Sequence, residues 1–484
     1  MNIHSREHLI RLSRRQWLQR AGGTLAGAFG AATLGHLALG TQPAYAADYK
    51  ALVCIFLYGG NDGMNVIVPT DTSHYQQYAS VRGTLALPQS SLVSLGGSNF
   101  GLHPSLSALQ PFWSSHQLAP VFNVGPLYKP LTKEQYRAAP DGSELVPDAL
   151  FSHADQQIEW ETGTSDSMTR TGWGGRASKV LGTVNPVISV GGNGRFGVED
   201  MRPSPLVLPG PGATFGAYGL GPDDTDWEPN RLRRQAIDAL YAEPQPLVLG
   251  QAYTAQQTNA FEMSERLADI VKSMPGDADS TPAIDSAFAP LIVDGKISTL
   301  MGQQLYQIAK LVRSNAQVQG NRQIFFAQQG GYDTHSGQIG DNSLLGLHAT
   351  LLKELGDAMA AFQQALVNLG LAPAVTTFTQ SDFGRTFAPN STAGTDHAWG
   401  NHQLVMGGSV KGGETYGKYP QLVLGGPDDV GVDSWELQGR WIPTSSVDQF
   451  ASTLLGWFGA GDGQLDKILP NLVHFGAKRS LGFL

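Results

Sequence analysis

The feature that most restricts the fold is a pattern that occurs three times: a short apolar run, a glycine or polar break, then an aspartate. Residues 51–58 (ALVCIFLY) run into Gly59-Gly60-Asn61-Asp62-Gly63. Residues 324–327 lead through Gln328-Gln329 into Gly330-Gly331-Tyr332-Asp333-Thr334-His335, and residues 374–379 lead into Ser381-Asp382-Phe383-Gly384-Arg385. A continuous apolar, β-branched and aromatic run suits a strand buried on both faces of a parallel sheet. Residues 120–124, 187–190 and 422–424 read as further strands. Helices are expected between them. Residues 344–369 carry apolar side chains at 344, 347, 351, 355, 358, 362, 366 and 369, the spacing of one helix face, and Gly370 stops the run. Residues 251–274 and 297–316 are also amphipathic. This alternation predicts an α/β fold, a doubly wound and mostly parallel sheet flanked by helices. Ligands in such sheets sit beyond the carboxyl ends of the strands. Asp62, Asp333 and Asp382 are therefore expected at one edge.

The chain begins with a different kind of signal. Residues 1–46 hold five Arg and one Glu, a local +4 that leaves −13 on residues 47–484 out of a whole-chain −9. Ser13-Arg14-Arg15-Gln16-Trp17-Leu18 precedes a weakly apolar run over 21–39, and the segment closes on Ala44-Tyr45-Ala46. A basic start, an apolar middle and an A-x-A end make a signal peptide, and the paired arginines resemble a twin-arginine export signal. The translocase of that route is the partner expected during export, with the mature chain periplasmic or secreted. The competing reading is a membrane anchor. The run is rich in Gly and Ala and contains His36, and it lacks the ~20 strongly apolar residues that span a bilayer. No stable membrane insertion is expected after cleavage.

Residues 47–484 are expected to form one α/β domain with an insertion at about 199–295, where a stretch rich in Pro, Gly and Asp breaks the alternation. The single Cys54 excludes an internal disulfide, and 32 basic against 41 acidic residues argue against a nucleic-acid partner.

Five segments carry the candidate chemistry. They hold Asp62, Ser152, Asp333 with His335, Asp382 with Arg385, and Asp396-His397 with His402. Of the 12 histidines, four fall between 335 and 402, and three of those lie inside these motifs. Carboxylate oxygen and imidazole nitrogen are ligands for Zn²⁺ and Mn²⁺, while oxygen-only ligation favours Ca²⁺ or Mg²⁺. A divalent metal site of some kind is therefore expected among these segments. Each piece also has a plainer reading. Asp before Gly is common in turns, Asp382 and Arg385 could simply pair, Ser152 could cap a helix, and His153 and His103 could be hydrogen-bonded structural histidines.

The ordered set resembles the bacterial exported domain-of-unknown-function 1501 family, within the alkaline-phosphatase-like superfamily alongside sulfatases. The residues that carry the likeness are the twin-arginine leader, the Gly59–Gly63 turn, Leu102-His103-Pro104, Ser152-His153, Gly172-Trp173 through Arg176, Gly331 through His335, Phe383 through Thr386, Asp396-His397 and Gly412-Gly413. The resemblance implies one or two divalent ions at the sheet edge, with Asp62, Asp333, His335, Asp382 and His397 as ligands, Asp396 and His402 as nearby candidates, and Ser152 as the nucleophilic hydroxyl. In phosphatases a histidine follows the late aspartate, whereas Phe383 stands here. The expected function is an exported metal-dependent hydrolase of a phosphate or sulfate ester, with a small-molecule substrate. Ser152 would attack and Arg385 would clamp the anion. The alternatives are a non-catalytic metal-binding secreted module, and a phosphosugar mutase or transferase.

Overall fold

The computed structural model describes residues 48–200, 205–221, 224 and 226–484. The leader read over 1–46 lies outside the described residues.

Among the described residues nine strands form the main sheet. They are β1 Lys50–Leu57, β2 Leu118–Gly125, β3 Ile188–Ser189, β4 Leu206–Val207, β5 Arg322–Gln329, β6 Val375–Ser381, β7 Asn401–Gly407, β8 Tyr416–Gly417 and β9 Ser445–Ser446. Their order is β8-β2-β7-β6-β1-β5-β3-β4, with β9 also on β2. Every pairing is parallel except the two made by β7. The fold is thus α/β, with a mixed and mostly parallel sheet.

Helices cover both faces, and the central strand shows why its sequence does not alternate. Ala51, Val53, Ile55 and Leu57 of β1 pack into one apolar cluster, with Leu305 of α6 (Leu300–Arg313) and Leu352 and Phe362 of α7 (Leu347–Asn368). Leu52, Cys54 and Phe56 pack into the other, with Trp160 of α2 (His153–Thr162), Trp173 of α3 (Trp173–Val180) and Phe450 of α8 (Val447–Phe458). Successive side chains of a strand point to opposite faces, so a strand with a core on each side must be apolar throughout. Each such buried side chain contributes about 1.5–3 kcal/mol.

Two local expectations fail. Residues 422–424 form no strand. Leu422 instead fills a satellite cluster with Tyr78, Phe387 and Trp441, and Val423 is exposed. Conversely, β7 spans His402, which the sequence places in a ligand loop. Its pattern of buried residues serves a central antiparallel strand between β6 and β2.

Within residues 199–295, β4 extends the sheet beyond β3. The region also contributes α4 (Glu228–Ala242) and α5 (Val248–Lys272), and Met263, Leu267, Ile270 and Val271 of α5 lie in the first core. Among the described residues no helix is long and apolar enough to cross a membrane.

The register sets the location of the chemistry. Leu57 pairs with Gln329 on one side and with Ser381 on the other, so three strands end level. Because β7 runs the opposite way, its first residue Asn401 lies at that same edge, opposite Val124 near the end of β2. The loop between β6 and β7 therefore meets the loops that leave β1 and β5.

Candidate metal centre

Four side chains converge at this edge. His153, Asp333, His335 and His397 each offer one ligand atom, and these atoms all lie within 4.8 Å of one another. Asp333 and His335 come from the loop after β5, and His397 from the loop before β7. His153 is the first residue of α2, packed across the edge.

The tautomers of the three imidazoles follow from their outer partners. His153 Nδ1 is 2.7 Å from Asp382 Oδ2, His335 Nδ1 is 2.8 Å from Asp396 Oδ1, and His397 Nδ1 is 2.7 Å from the carbonyl oxygen of Phe151. A carbonyl or an ionised carboxylate can only accept, so each Nδ1 carries the proton. The neutral ring then turns its Nε2 lone pair inward. Those nitrogens meet Asp333 Oδ1 at 3.2 Å from His153, 3.2 Å from His335 and 3.5 Å from His397, while His335 Nε2 and His397 Nε2 stand 2.8 Å apart. His153 Nε2 is buried without a hydrogen-bond partner. Three lone pairs and a carboxylate oxygen thus face one another, an arrangement that a cation satisfies. Histidines oriented by carboxylates and carbonyls are the usual outer shell of a metal site.

The electrostatics agree with a charge-seeking cluster. Hydrogen bonding to Asp382 raises the His153 pKa against its burial. Burial lowers that of His397, and the charges of His153, Arg385 and His335 add to the effect. Burial works to raise the Asp333 carboxyl, yet the charge and hydrogen bond of Arg385, together with the charges of His153 and His335, hold the group below its ordinary value. Arg385 donates from Nη2 to Asp333 Oδ1 at 3.0 Å; its Nε and Nη1 are buried without acceptors. The Asp333 side chain remains 49% exposed, so the cluster opens to solvent, as a working metal site must.

The remaining expected ligands lie elsewhere. Asp382 is fully buried behind His153 and accepts from the Gly59 backbone and from Gln157 Nε2 at 2.8 Å. Asp396 sits behind His335 and also accepts from Asn390 Nδ2 at 3.0 Å. Asp62 is fully buried, and its Oδ2 accepts from Arg82, the last residue of α1 (Thr72–Arg82), and, at 2.5 Å, from Gln338 Nε2. The pull of Arg82 turns it from the cluster. His402 is buried on β7, where its Nδ1 accepts from Asn123 N at 3.1 Å and its ring packs against Phe122 and Tyr419. Ser152 holds the N-cap position of α2, but its hydroxyl donates to Asp155 Oδ2 at 2.6 Å.

His153 is a ligand candidate beyond those expected from the sequence, which also allows it as a structural histidine. Its signal was weak, because it stands alone on a helix far in sequence from the others. Its neighbour Phe151 has φ 72°, a conformation rare for a bulky residue. That turn aims the Phe151 carbonyl at His397.

Residues 230–429 match the model of a family described as a protein of unknown function (DUF1501). The match includes Asp333, His335 and His397; His153 lies before it. The chain is also similar to two solved structures. One is Ps i-CgsB in complex with k-i-k-neocarrahexaose, at 10% identity and TM-score 0.35, over 90% of this chain and 77% of that one. The other is a mutant of the alkaline phosphatase PafA, at 12% identity and TM-score 0.27, over 71% and 64%. No curated protein matches the chain.

Proposed function

We propose that the protein is a metal-dependent hydrolase of phosphate or sulfate esters. The observation that carries this reading is the solvent-open convergence of three histidine Nε2 atoms on Asp333, with Arg385 beside it. One ion suits the four donors. Three imidazoles favour Zn²⁺ or Mn²⁺ over Ca²⁺ or Mg²⁺, which prefer oxygen. Such an ion, when bound, supplies Lewis acidity and a nucleophile at neutral pH. The protein's own part is to fix the imidazoles through Asp382, Asp396 and the Phe151 carbonyl. Arg385, paired with Asp333 through Nη2, sets a positive charge beside the donors that would attract an anionic substrate.

Ser152 donates to Asp155 Oδ2 at 2.6 Å rather than to any of the four donors, so the attack is assigned to the nucleophile that the ion would supply. Phe383, whose ring packs on His153 and His397 where phosphatases carry a histidine, favours the second reading, a metal-binding module without turnover. Purified protein loaded with Zn²⁺ or Mn²⁺ should hydrolyse aryl phosphate or aryl sulfate esters, and His335→Ala should abolish this. Stoichiometric metal without turnover across such esters would establish the module instead. We further propose export by the twin-arginine route, for which the leader pattern is the support; secretion of a reporter fused to residues 1–46, lost on replacing Arg14 and Arg15 by lysine, tests it.

A further inference from the structure

We propose that Gln338 is a positioning residue for the metal centre, locking two ligand loops to the carboxylate of Asp62. The proposal rests on the reading of His153, Asp333, His335 and His397 as metal ligands. Gln338 is fully buried, as are Asp62 and Thr395, and Thr334 is 1% exposed. Its Nε2 donates to Asp62 Oδ2 at 2.5 Å. Its Oε1 accepts from Thr334 Oγ1 at 3.1 Å and from Thr395 Oγ1 at 2.6 Å. Thr334 stands between Asp333 and His335, and Thr395 directly precedes Asp396-His397. The two loops also meet directly, Thr395 N donating to Thr334 O at 3.1 Å.

The chemistry of the amide makes the direction of this chain unambiguous. A carboxylate accepts only, so the NH₂ end of Gln338 must face Asp62 and its oxygen must face the two hydroxyls. Asp62 Oδ2 also takes the Arg82 guanidinium, whose Nη1 donates to the carbonyls of Thr386 at 3.2 Å and Phe387 at 3.1 Å. Those carbonyls follow Arg385. One carboxylate oxygen therefore anchors, through Gln338 and Arg82, both loops that bring Asp333, His335, Arg385 and His397 together, the one after β5 and the one between β6 and β7. The aspartate at the end of β1 serves the centre without touching it.

The test is a Zn²⁺ titration by calorimetry on the full chain, with the visible absorption of the Co²⁺ form as a reporter of ligand geometry. Gln338→Leu keeps the volume but removes every hydrogen bond; it should weaken Zn²⁺ binding ~10- to 100-fold, as loss of outer-shell support does, and shift the Co²⁺ bands. Thr395→Val, a smaller change that leaves Asp62 paired, should act in the same direction with a smaller effect. Asp62→Asn can keep a carbonyl oxygen in the place of Oδ2, where Gln338 and Arg82 both donate, and should retain most of the affinity and the Co²⁺ bands, whereas Asp62→Ala removes that acceptor and should weaken binding at least as far as Q338L. Wild-type affinity and unchanged bands in both Q338L and T395V would overturn the proposal. Weak binding in Q338L with wild-type binding in Asp62→Ala would overturn the part given to Asp62. Absence of metal binding by the wild-type chain would overturn the metal centre itself, and this role with it.

Discussion

His335 and His397 stand with their Nε2 atoms 2.8 Å apart, while the Nδ1 of each faces an acceptor that cannot donate. Two neutral rings so oriented oppose lone pair to lone pair. Either a proton or a cation must lie between them, and Asp333 Oδ1 at 3.2 and 3.5 Å adds negative charge at the same point. Metal uptake should therefore release protons below neutral pH, and affinity should fall as pH falls. Structural Zn²⁺ sites bind with about 10–16 kcal/mol over four ligands, or roughly 3 kcal/mol per ligand. His335→Ala and His397→Ala should each weaken Zn²⁺ binding about 100-fold. Calorimetry in buffers of different ionisation enthalpy reads both the affinity and the proton count. Equal affinity in the two variants and the wild type would remove these residues from the ligand set.

Asp382 acts on the centre through His153. Its carboxylate holds the Nδ1 proton at 2.7 Å and raises the imidazole pKa. A raised folded-state pKa means that this interaction stabilises the metal-free fold fully below the unfolded histidine pKa. The contribution is lost as pH rises through the folded value. Asp382→Asn should lower the His153 pKa in the metal-free protein, seen as an acid shift of its NMR titration, and should weaken metal binding ~10- to 100-fold. An unmoved titration would break the link between the two residues.

His402 gives a prediction about folding rather than metal. Burial lowers its pKa to about 3, although Asp62 pulls the other way. The native state therefore keeps it neutral where the unfolded chain, titrating near 6.5, takes up a proton. The sign follows: its neutral form supports the fold above pH 6.5, and that support is lost as pH falls toward 3. The wild type should lose stability relative to His402→Gln by about 1.4 kcal/mol per pH unit below 6.5. Comparing the two chains cancels the opposite trend of buried carboxyls such as Asp448, whose pKa burial raises to about 8. Urea melts from pH 7 to 4.5 would show parallel curves if His402 were charged in the folded chain.

Gly59 should tolerate no side chain. Its φ is +113°, and a Cβ there would collide with the backbone of Tyr332 and Asp333. The conformation alone costs an L-residue about 1–3 kcal/mol, and relief of the clash must move the loop that carries Asp333 and His335. Gly59→Ala should therefore lower both stability and Zn²⁺ affinity. Gly83→Ala is the control: its φ is +52°, and nothing lies within 4 Å of the added carbon. It should cost stability and leave affinity unchanged.

Much of this arrangement was legible in the residues. The apolar runs that became β1, β5 and β6 could be read because a strand with a core on both faces needs no polar positions, and their level ends follow from parallel pairing. Asp333, His335 and His397 were legible as ligand candidates because acid and imidazole sit together in loops beside glycine. What could not be read were relationships across long separations. His153 lies 180 residues before Asp333 and reaches the centre only because α2 packs over the sheet edge. The strand over His402 was missed because a central antiparallel strand and a polar ligand loop look alike until β6 and β2 flank it.

The sequence by itself determined that three strands would end in aspartates at one edge, since hydrophobic burial and strand length are local properties. Only the tertiary structure decided what each aspartate does there. Asp333 faces the three histidines, Asp382 holds one of them from behind, and Asp62 turns to Arg82 and Gln338. The physical reason is that a carboxylate takes its role from the nearest donors. Those donors, Arg82, Gln338 and His153, arrive from elements that only packing brings to the sheet.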